Sequence, residues 1–197
     1  ILSPSDIVVE ATGNFVTDIE LGLAIIDDII EVNTVTNDAP DSFPLGETIV
    51  TWTATDSSGN FATSTQTVSV VDTTAPSITA PNAIQVEATG IEGNLADIGI
   101  STANDSVEII SIINDAPDSF PLGETTVTWT ATDVAGNESS IEQKVTIVDT
   151  ISPSLQIPAD MEIEATSFDQ NIIDLGDATA TDNGKIISIT NDAPEFF

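Results

Sequence analysis

Val50-Thr51-Trp52-Thr53-Ala54-Thr55 alternates apolar residues with threonine, and Val127-Thr128-Trp129-Thr130-Ala131-Thr132 repeats the pattern. Period-two alternation rich in β-branched residues marks a half-buried strand, with Val50, Trp52 and Ala54 facing a core and the threonines facing out. Asp56-Ser57-Ser58-Gly59-Asn60 follows, matched by Asp133-Val134-Ala135-Gly136-Asn137. Asp, Gly and Asn supply the turn chemistry of a hairpin. The returning strand runs to Val71 with Val68 and Val70 inward, and Val145 and Ile147 are their copies. Upstream, residues 7–11 form a short first strand, about 16–23 a second and about 29–35 a third. Residues 37–46 hold two prolines and a glycine and read as a long turn with room for a brief edge strand. Residues 19–30 come closest to a helical period, but their isoleucines and β-patterned flanks argue for strands. Six or seven short strands separated by turn signals predict a β-sandwich.

The pattern recurs because the whole chain does. Asn37-Asp38-Ala39-Pro40 returns at Asn114-Asp115-Ala116-Pro117 and at Asn191-Asp192-Ala193-Pro194, a period of 77 residues without gaps. A fixed period is one folding unit copied in series. The copies are 1–77, 78–154 and 155–197, the third stopping short of the tryptophan-bearing strand and its hairpin partner. A unit of this size buries only about 60% of its surface, so contacts between repeats or a bound metal would matter. Asp72-Thr73-Thr74-Ala75-Pro76 and Asp149-Thr150-Ile151-Ser152-Pro153 join the copies. Such short proline-bearing linkers are not floppy tethers, and the expected assembly is a linear, semi-rigid array at about 35–45 Å per repeat.

Thirty-three acids against Lys144 and Lys185 give a net charge of −31. That surface repels nucleic acid and anionic lipid, which excludes both as partners. Solubility accounts for the charge, and so does cation binding. There is no cysteine, so no disulfide staples these small units. No long apolar run marks a membrane span, and no signal peptide is visible at the start of the chain.

"FPLGETTVTWTATDVAGNESSIEQKVTIVDTISP" is similar to the hyalin-repeat (HYR) family, as are the Val-Glu-Ala-Thr of the first strand and Asp105 ahead of the third. The motifs occur in order along the whole chain. The resemblance implies an immunoglobulin-like sandwich, used in tandem in extracellular adhesive, matrix and cell-surface proteins and usually without catalysis. Many members carry cysteines. Here Trp52 and Trp129 stand at a strand position where the family often has one, which favours a tighter apolar core.

Several acids recur with the period while others, such as Asp18, do not. Strand direction groups the recurring ones. Glu10 ends the first strand, Asp72 ends the last, and Glu47 opens the tryptophan strand, all at the bottom of a domain. Asp105 and Asp133 lie in loops at the top of the next. Glu10, Glu47, Asp72, Asp105 and Asp133 are therefore candidates to converge on the first linker, and Glu87, Glu124, Asp149 and Asp182 on the second. Bare carboxylates about 5 Å apart repel by roughly 3 kcal/mol per pair at an effective dielectric of about 20. Calcium suits such a cluster because it takes six to eight oxygens in flexible geometry, whereas magnesium is stricter and zinc prefers the absent histidine and cysteine. The layout resembles the calcium-stiffened linkers of cadherins.

Other readings stay open for each residue. Asp56 and Asp133 suit Asx-turns, Asp72 and Asp149 suit turn caps before proline, and Glu10 suits a solvated edge that deters strand pairing. The alternation directs Trp52 and Trp129 into a core rather than onto a sugar. Asn104-Asp105-Ser106 and Asn137-Glu138-Ser139 are N-glycosylation acceptor patterns. No histidine is present to activate a serine, and the acids repeat per domain instead of forming a cleft, so no enzyme is expected. The expectation is a non-catalytic extracellular structural array with calcium-stiffened linkers; an adhesive module for a glycan or protein is the alternative. The third repeat is either an excerpt of a longer array, the favoured reading, or is completed by strand addition from neighbouring copies of the protein.

Overall fold

Both Val-x-Trp-x-Ala segments become eleven-residue strands in the computed structural model, which describes residues 1–29, 31–168, 170–195 and 197. The fold is all-β, with no helix among the described residues. In the first repeat β1 (Ile7–Glu10), β2 (Phe15–Val16), β3 (Val32–Asn37), β4 (Phe43–Pro44), β5 (Gly46–Asp56) and β6 (Phe61–Val71) follow in order. They form a four-stranded sheet, β1-β6-β5-β3, and a small sheet, β2-β4. The second repeat contributes β7 (Ser77–Thr79), β8 (Ile84–Glu87), β9 (Thr102–Asn104), β10 (Ile109–Asn114), β11 (Gly123–Asp133) and β12 (Glu138–Val148). Its large sheet has the order β10-β11-β12-β8, and β7 pairs with β9.

The alternation is honoured residue by residue. Val50 and Val68 are fully buried, and Trp52 and Val70 nearly so, with their copies Val127, Val145, Trp129 and Ile147 equally enclosed. Burying each such side chain contributes about 1.5–3 kcal/mol. Trp52 Nε1 donates to Gln66 Oε1 at 3.1 Å, and Gln66 Nε2 donates to the carbonyls of Ser5 and Leu21. Gln143, its copy, donates to Asn82 and Ile98. These glutamines satisfy loop carbonyls that burial would otherwise leave unpaired.

The pairing of β1 with β6 is parallel, Ile7↔Val68 through Glu10↔Val71, and β8 with β12 repeats it. Parallel neighbours leave the sheet at the same end, so Glu10 and the linker beginning at Asp72 emerge side by side.

Three expectations change. The second strand of 16–23 shrinks to Phe15–Val16 because Asp18 and Gly22 take positive φ, 59° and 82°, which breaks an extended run. The third strand starts at Val32, after a stretch that includes Ile30, which lies outside the described residues. The linker also contributes structure: β7 begins at Ser77, directly after its proline.

In the third repeat β13 (Ser154–Gln156) pairs with β14 (Thr179–Thr181), and Asn171 exchanges backbone hydrogen bonds with Phe197 as Asn94 does with Phe120. Residues 161–164 and 186–191, the counterparts of β1/β8 and β3/β10, have no strand assignment. Their earlier copies pair with the two long strands, and Ile163 and Ile187 are exposed.

By packing, the chain divides into two units, Ile1–Ala80, Ile100–Asn114 and Thr128–Ile141 in one and Pro81–Gly99, Asp115–Val127 and Glu142–Phe197 in the other. The division runs through the second repeat. Each inter-repeat linker thus falls inside a unit, and each is described below within its own.

Candidate metal centre

In the first unit, ligand oxygens of Asp72, Asp105 and Asp133 all lie within 4.8 Å of one another. Three local devices place them. Asp72 follows β6, and its Oδ1 accepts from Thr74 N at 3.2 Å, turning the chain before Pro76. Asp105 sits between β9 and β10, and its Oδ1 accepts from Val107 N. Asp133 ends β11 and caps the hairpin, accepting from Asn137 N and Nδ2, both at 2.9 Å, while Gly136 holds φ 91°. Asp56 caps the first hairpin in the same way through Ser58 and Asn60. The turn-capping and clustering readings are therefore compatible: Asp133 does both, and Asp56 is not in the group of three.

Asn137 ties the set together. Its Nδ2 donates to the Asp72 carbonyl at 3.1 Å and to Asp72 Oδ2 at 3.3 Å as well as to Asp133. The sequence places Asn137 in the hairpin turn, as it does Asn60, and in a glycosylation pattern; that it also reaches Asp72 follows only from the fold. Its amide nitrogen is engaged here, whereas Asn104 is exposed at the end of β9.

Glu10 lies beside the group rather than in it. It accepts from Thr73 N at 2.8 Å and from the hydroxyls of Thr73 and Thr74, so it clamps the linker instead of guarding an edge. Glu47 is exposed on β5 opposite Ser69 and is not brought to the cluster. An outward position one residue into the strand points it away from the linker.

The electrostatics are lopsided. Asp133 is wholly buried and Asp72 is 8% exposed. Burial, then the charges of Asp133, Asp105 and Glu10, push the Asp72 carboxyl above its ordinary value. Burial also opposes ionisation of Asp133, but hydrogen bonds from Asn137, Gly136 and Ala135 outweigh it and hold that carboxyl low. The Thr73 backbone N–H, against a smaller burial effect, keeps Glu10 low. The ion pair seen among the described residues is Lys144–Glu124 at 2.9 Å, far along the sequence and solvent-exposed. Oxygens sharing one calcium at 2.3–2.6 Å stand at most about 5 Å apart, so the three carboxylates fit such an ion.

The second linker is built differently. Glu87 clamps Thr150 N and Oγ1, both at 2.8 Å, as Glu10 does Thr73. Asp149 caps Ile151 N and Asp182 caps Gly184 N. Glu124 is taken by Lys144. Among the described residues Glu87, Glu124, Asp149 and Asp182 form no group like the first. Asp149 lies against Gly184, where an added Cβ would collide with its carboxylate.

Gly184 occupies the position of Val107, and that difference is energetic. Val107 is 6% exposed and belongs to the core cluster of Val16, Phe43, Val50 and Trp52 from the first repeat. A residue of the second repeat thus plugs the end of the first. Val107→Gly is expected to cost about 1.5–3 kcal/mol and to split one cooperative unfolding transition into two, read by chemical denaturation. A loss below about 0.5 kcal/mol, the level of an ordinary surface substitution, would show that the plug is unimportant.

No helix among the described residues is long and apolar enough to cross a membrane. The HYR domain model matches residues 9–70 and 71–147. The chain is 38% identical over 179 residues to hyalin of Strongylocentrotus purpuratus and 33% identical over 184 residues to hyalin of Lytechinus variegatus, with 82% of the chain aligned in each case. It spans 15% and 33% of the length of those two proteins. Among solved structures it is similar to extracellular cadherin domains 1–4 of protocadherin gamma B7, at 12% identity and a TM-score of 0.34 over 92% of this chain and 59% of that one. With two consecutive family matches over most of its length, the chain belongs to the HYR domain family.

Proposed function

We propose that the chain is a non-catalytic, extracellular structural array whose first inter-repeat linker is stiffened by calcium. One observation carries the reading: three carboxylates from separate parts of the sequence meet at the linker, two of them buried, with no lysine beside them. Asp72, Asp105 and Asp133 would hold the ion, and it would supply the positive charge that their proximity demands. Asn137 positions two of the carboxylates, and Glu10 keeps the linker from swinging away. At a hundred times its dissociation constant the ion would add about 2.7 kcal/mol, and extracellular modules of this kind bind at about 10⁻⁴ to 10⁻³ M. Thermal melts with calcium and with chelator test this. A melting temperature unchanged by calcium well above millimolar would remove the metal.

The proton is calcium's competitor at this site. Asp72 is raised in the folded protein, so the folded state holds more protons than the unfolded one just above the ordinary carboxylate range. Its contribution to stability is present at low pH and lost as pH rises through its folded pKa. Glu10 and Asp133 run the other way, stabilising above their ordinary values and losing that effect as pH falls. Apparent calcium affinity is therefore expected to weaken as pH falls through the Asp72 titration, and Asp72→Asn to flatten that slope. Calorimetric titrations across pH 4–7 (about that range, set by ordinary carboxylates) would read it; an equal slope in the variant would contradict the assignment.

Further repeats of the same kind are the natural partners of the third one. Its residues 161–164 and 186–191 correspond to strands that elsewhere pair with β5/β11 and β6/β12. A peptide with the sequence of residues 123–148 is expected to bind there and turn both segments into protected strands. Amide exchange would show the protection; unchanged exchange in both segments would rule out complementation.

A further inference from the structure

The outward face of the sheet β1-β6-β5-β3 differs from the rest of this acidic molecule. Thr36, Thr53 and Thr63 are cross-strand neighbours and form one row. Thr51 and Thr65 form the next, and Thr55 stands between Thr34 and Phe61. Ile49 and Thr67 continue the pattern. Phe61 is 73% exposed and Ile49 67%. No charged residue stands within these rows; the next row of the same face, Glu47 opposite Ser69, brings an exposed carboxylate. At the margins, the carboxylates of Asp38 and Asp6 turn back to accept from the backbone of Thr51 and Thr67.

Threonine suits any exposed strand, so the second repeat provides the control. Its positions matching Phe61, Thr65 and Thr67 are Glu138, Glu142 and Lys144, and the one matching Thr36 is Ile113. The same strands therefore accept charge there, and the scaffold does not require the neutral rows of the first repeat.

We propose that this face binds a neutral polysaccharide chain lying across the threonine rows and against Phe61. Each threonine hydroxyl both donates and accepts, as sugar hydroxyls do. The threonine methyls and the Phe61 ring meet the apolar faces of the sugar rings. Rows repeat at about 6.7 Å along the strands and about 4.8 Å between them, giving a surface that a few sugar units cover. That area is well short of the roughly 800 Å² per side of a stable protein interface, which argues against a folded protein as occupant. The surrounding negative field excludes an anionic glycan.

Affinity electrophoresis of the intact chain through gels containing β-glucan, mannan, xylan, galactan or uncharged chitin derivatives tests the proposal, with a sulfated galactan as the anionic comparison. The wild type is expected to be retarded by at least one neutral polymer, in calcium and in chelator alike, and not by the sulfated one. The variant Phe61→Glu/Thr65→Glu/Thr67→Lys transplants the residues of the second repeat, which that strand already tolerates. It is expected to lose affinity at least tenfold while its melting temperature stays close to the parent's. Absence of retardation by every neutral polymer, undiminished binding by the folded variant, or preference for the sulfated polymer would each overturn the proposal. Because the face lies apart from Asp72, Asp105 and Asp133, failure here leaves the calcium reading intact, and the reverse also holds.

Discussion

Trp52→Ala is expected to destabilise the first repeat by about 3–5 kcal/mol, the largest effect of any single substitution considered. Trp52 is 6% exposed at the centre of a core shared by Val50, Val68 and Phe43, and truncation leaves a cavity that flanking strands cannot close. It also strips Gln66 Oε1 of its donor while Gln66 remains fully buried. An orphaned buried acceptor costs about 1–3 kcal/mol in its own right. Small domains hold only about 5–15 kcal/mol in total, so the unit holding the first repeat should unfold at much lower denaturant. Trp52→Phe separates the terms by keeping most of the packing and losing the N–H. Urea unfolding followed by circular dichroism and by Trp129 fluorescence reads both variants. A loss for Trp52→Ala under about 1 kcal/mol, typical of a peripheral site, would mean the core is not organised around this indole.

Asp133→Asn is expected to abolish the calcium-dependent rise in melting temperature, or to shift it to at least tenfold higher calcium. The amide keeps an oxygen for the turn but removes a charge from the group formed with Asp72 and Asp105. Asp56→Asn is the matching control. Asp56 makes the equivalent hairpin hydrogen bonds, and Asn60 foremost, against burial, holds its carboxyl low. It lies outside the three-acid group, so its replacement should leave the calcium response unchanged. Two variants that lose stability equally but respond to calcium differently would separate turn-capping from ion binding. Identical calcium midpoints for Asp133→Asn and the parent would end the metal assignment at this linker.

Local pattern carried much of this molecule. Val50, Trp52, Ala54, Val68 and Val70 were placed by alternation alone, because a strand has only two faces and the chain assigns each residue to one. The hairpin caps at Asp56 and Asp133 followed from residue type and spacing. The second strand was overextended, since nothing local announced that Asp18 adopts a positive φ. Gln66 and Gln143 passed unnoticed, although their recurrence was visible, because their partners are carbonyls of loops far along the chain.

The candidate site divides in the same way. Strand direction was enough to bring Asp72, Asp105 and Asp133 to one end of a repeat, but not to separate Glu10, which clamps threonines, from Glu47, which faces away. The inequality of the two linkers depends on Val107 entering the core of a preceding repeat and on glycine standing at 184.

By itself the sequence determined the strand pattern, the repeat and the end of the first domain at which acids collect, since these depend on neighbours a few residues away and on chain direction. Only the tertiary structure decided which carboxylates share a space, which are engaged by backbone amides, and which outward rows are left without charge. Those outcomes turn on distances between segments tens of residues apart, where a shift of an ångström or a single side chain changes what an oxygen meets.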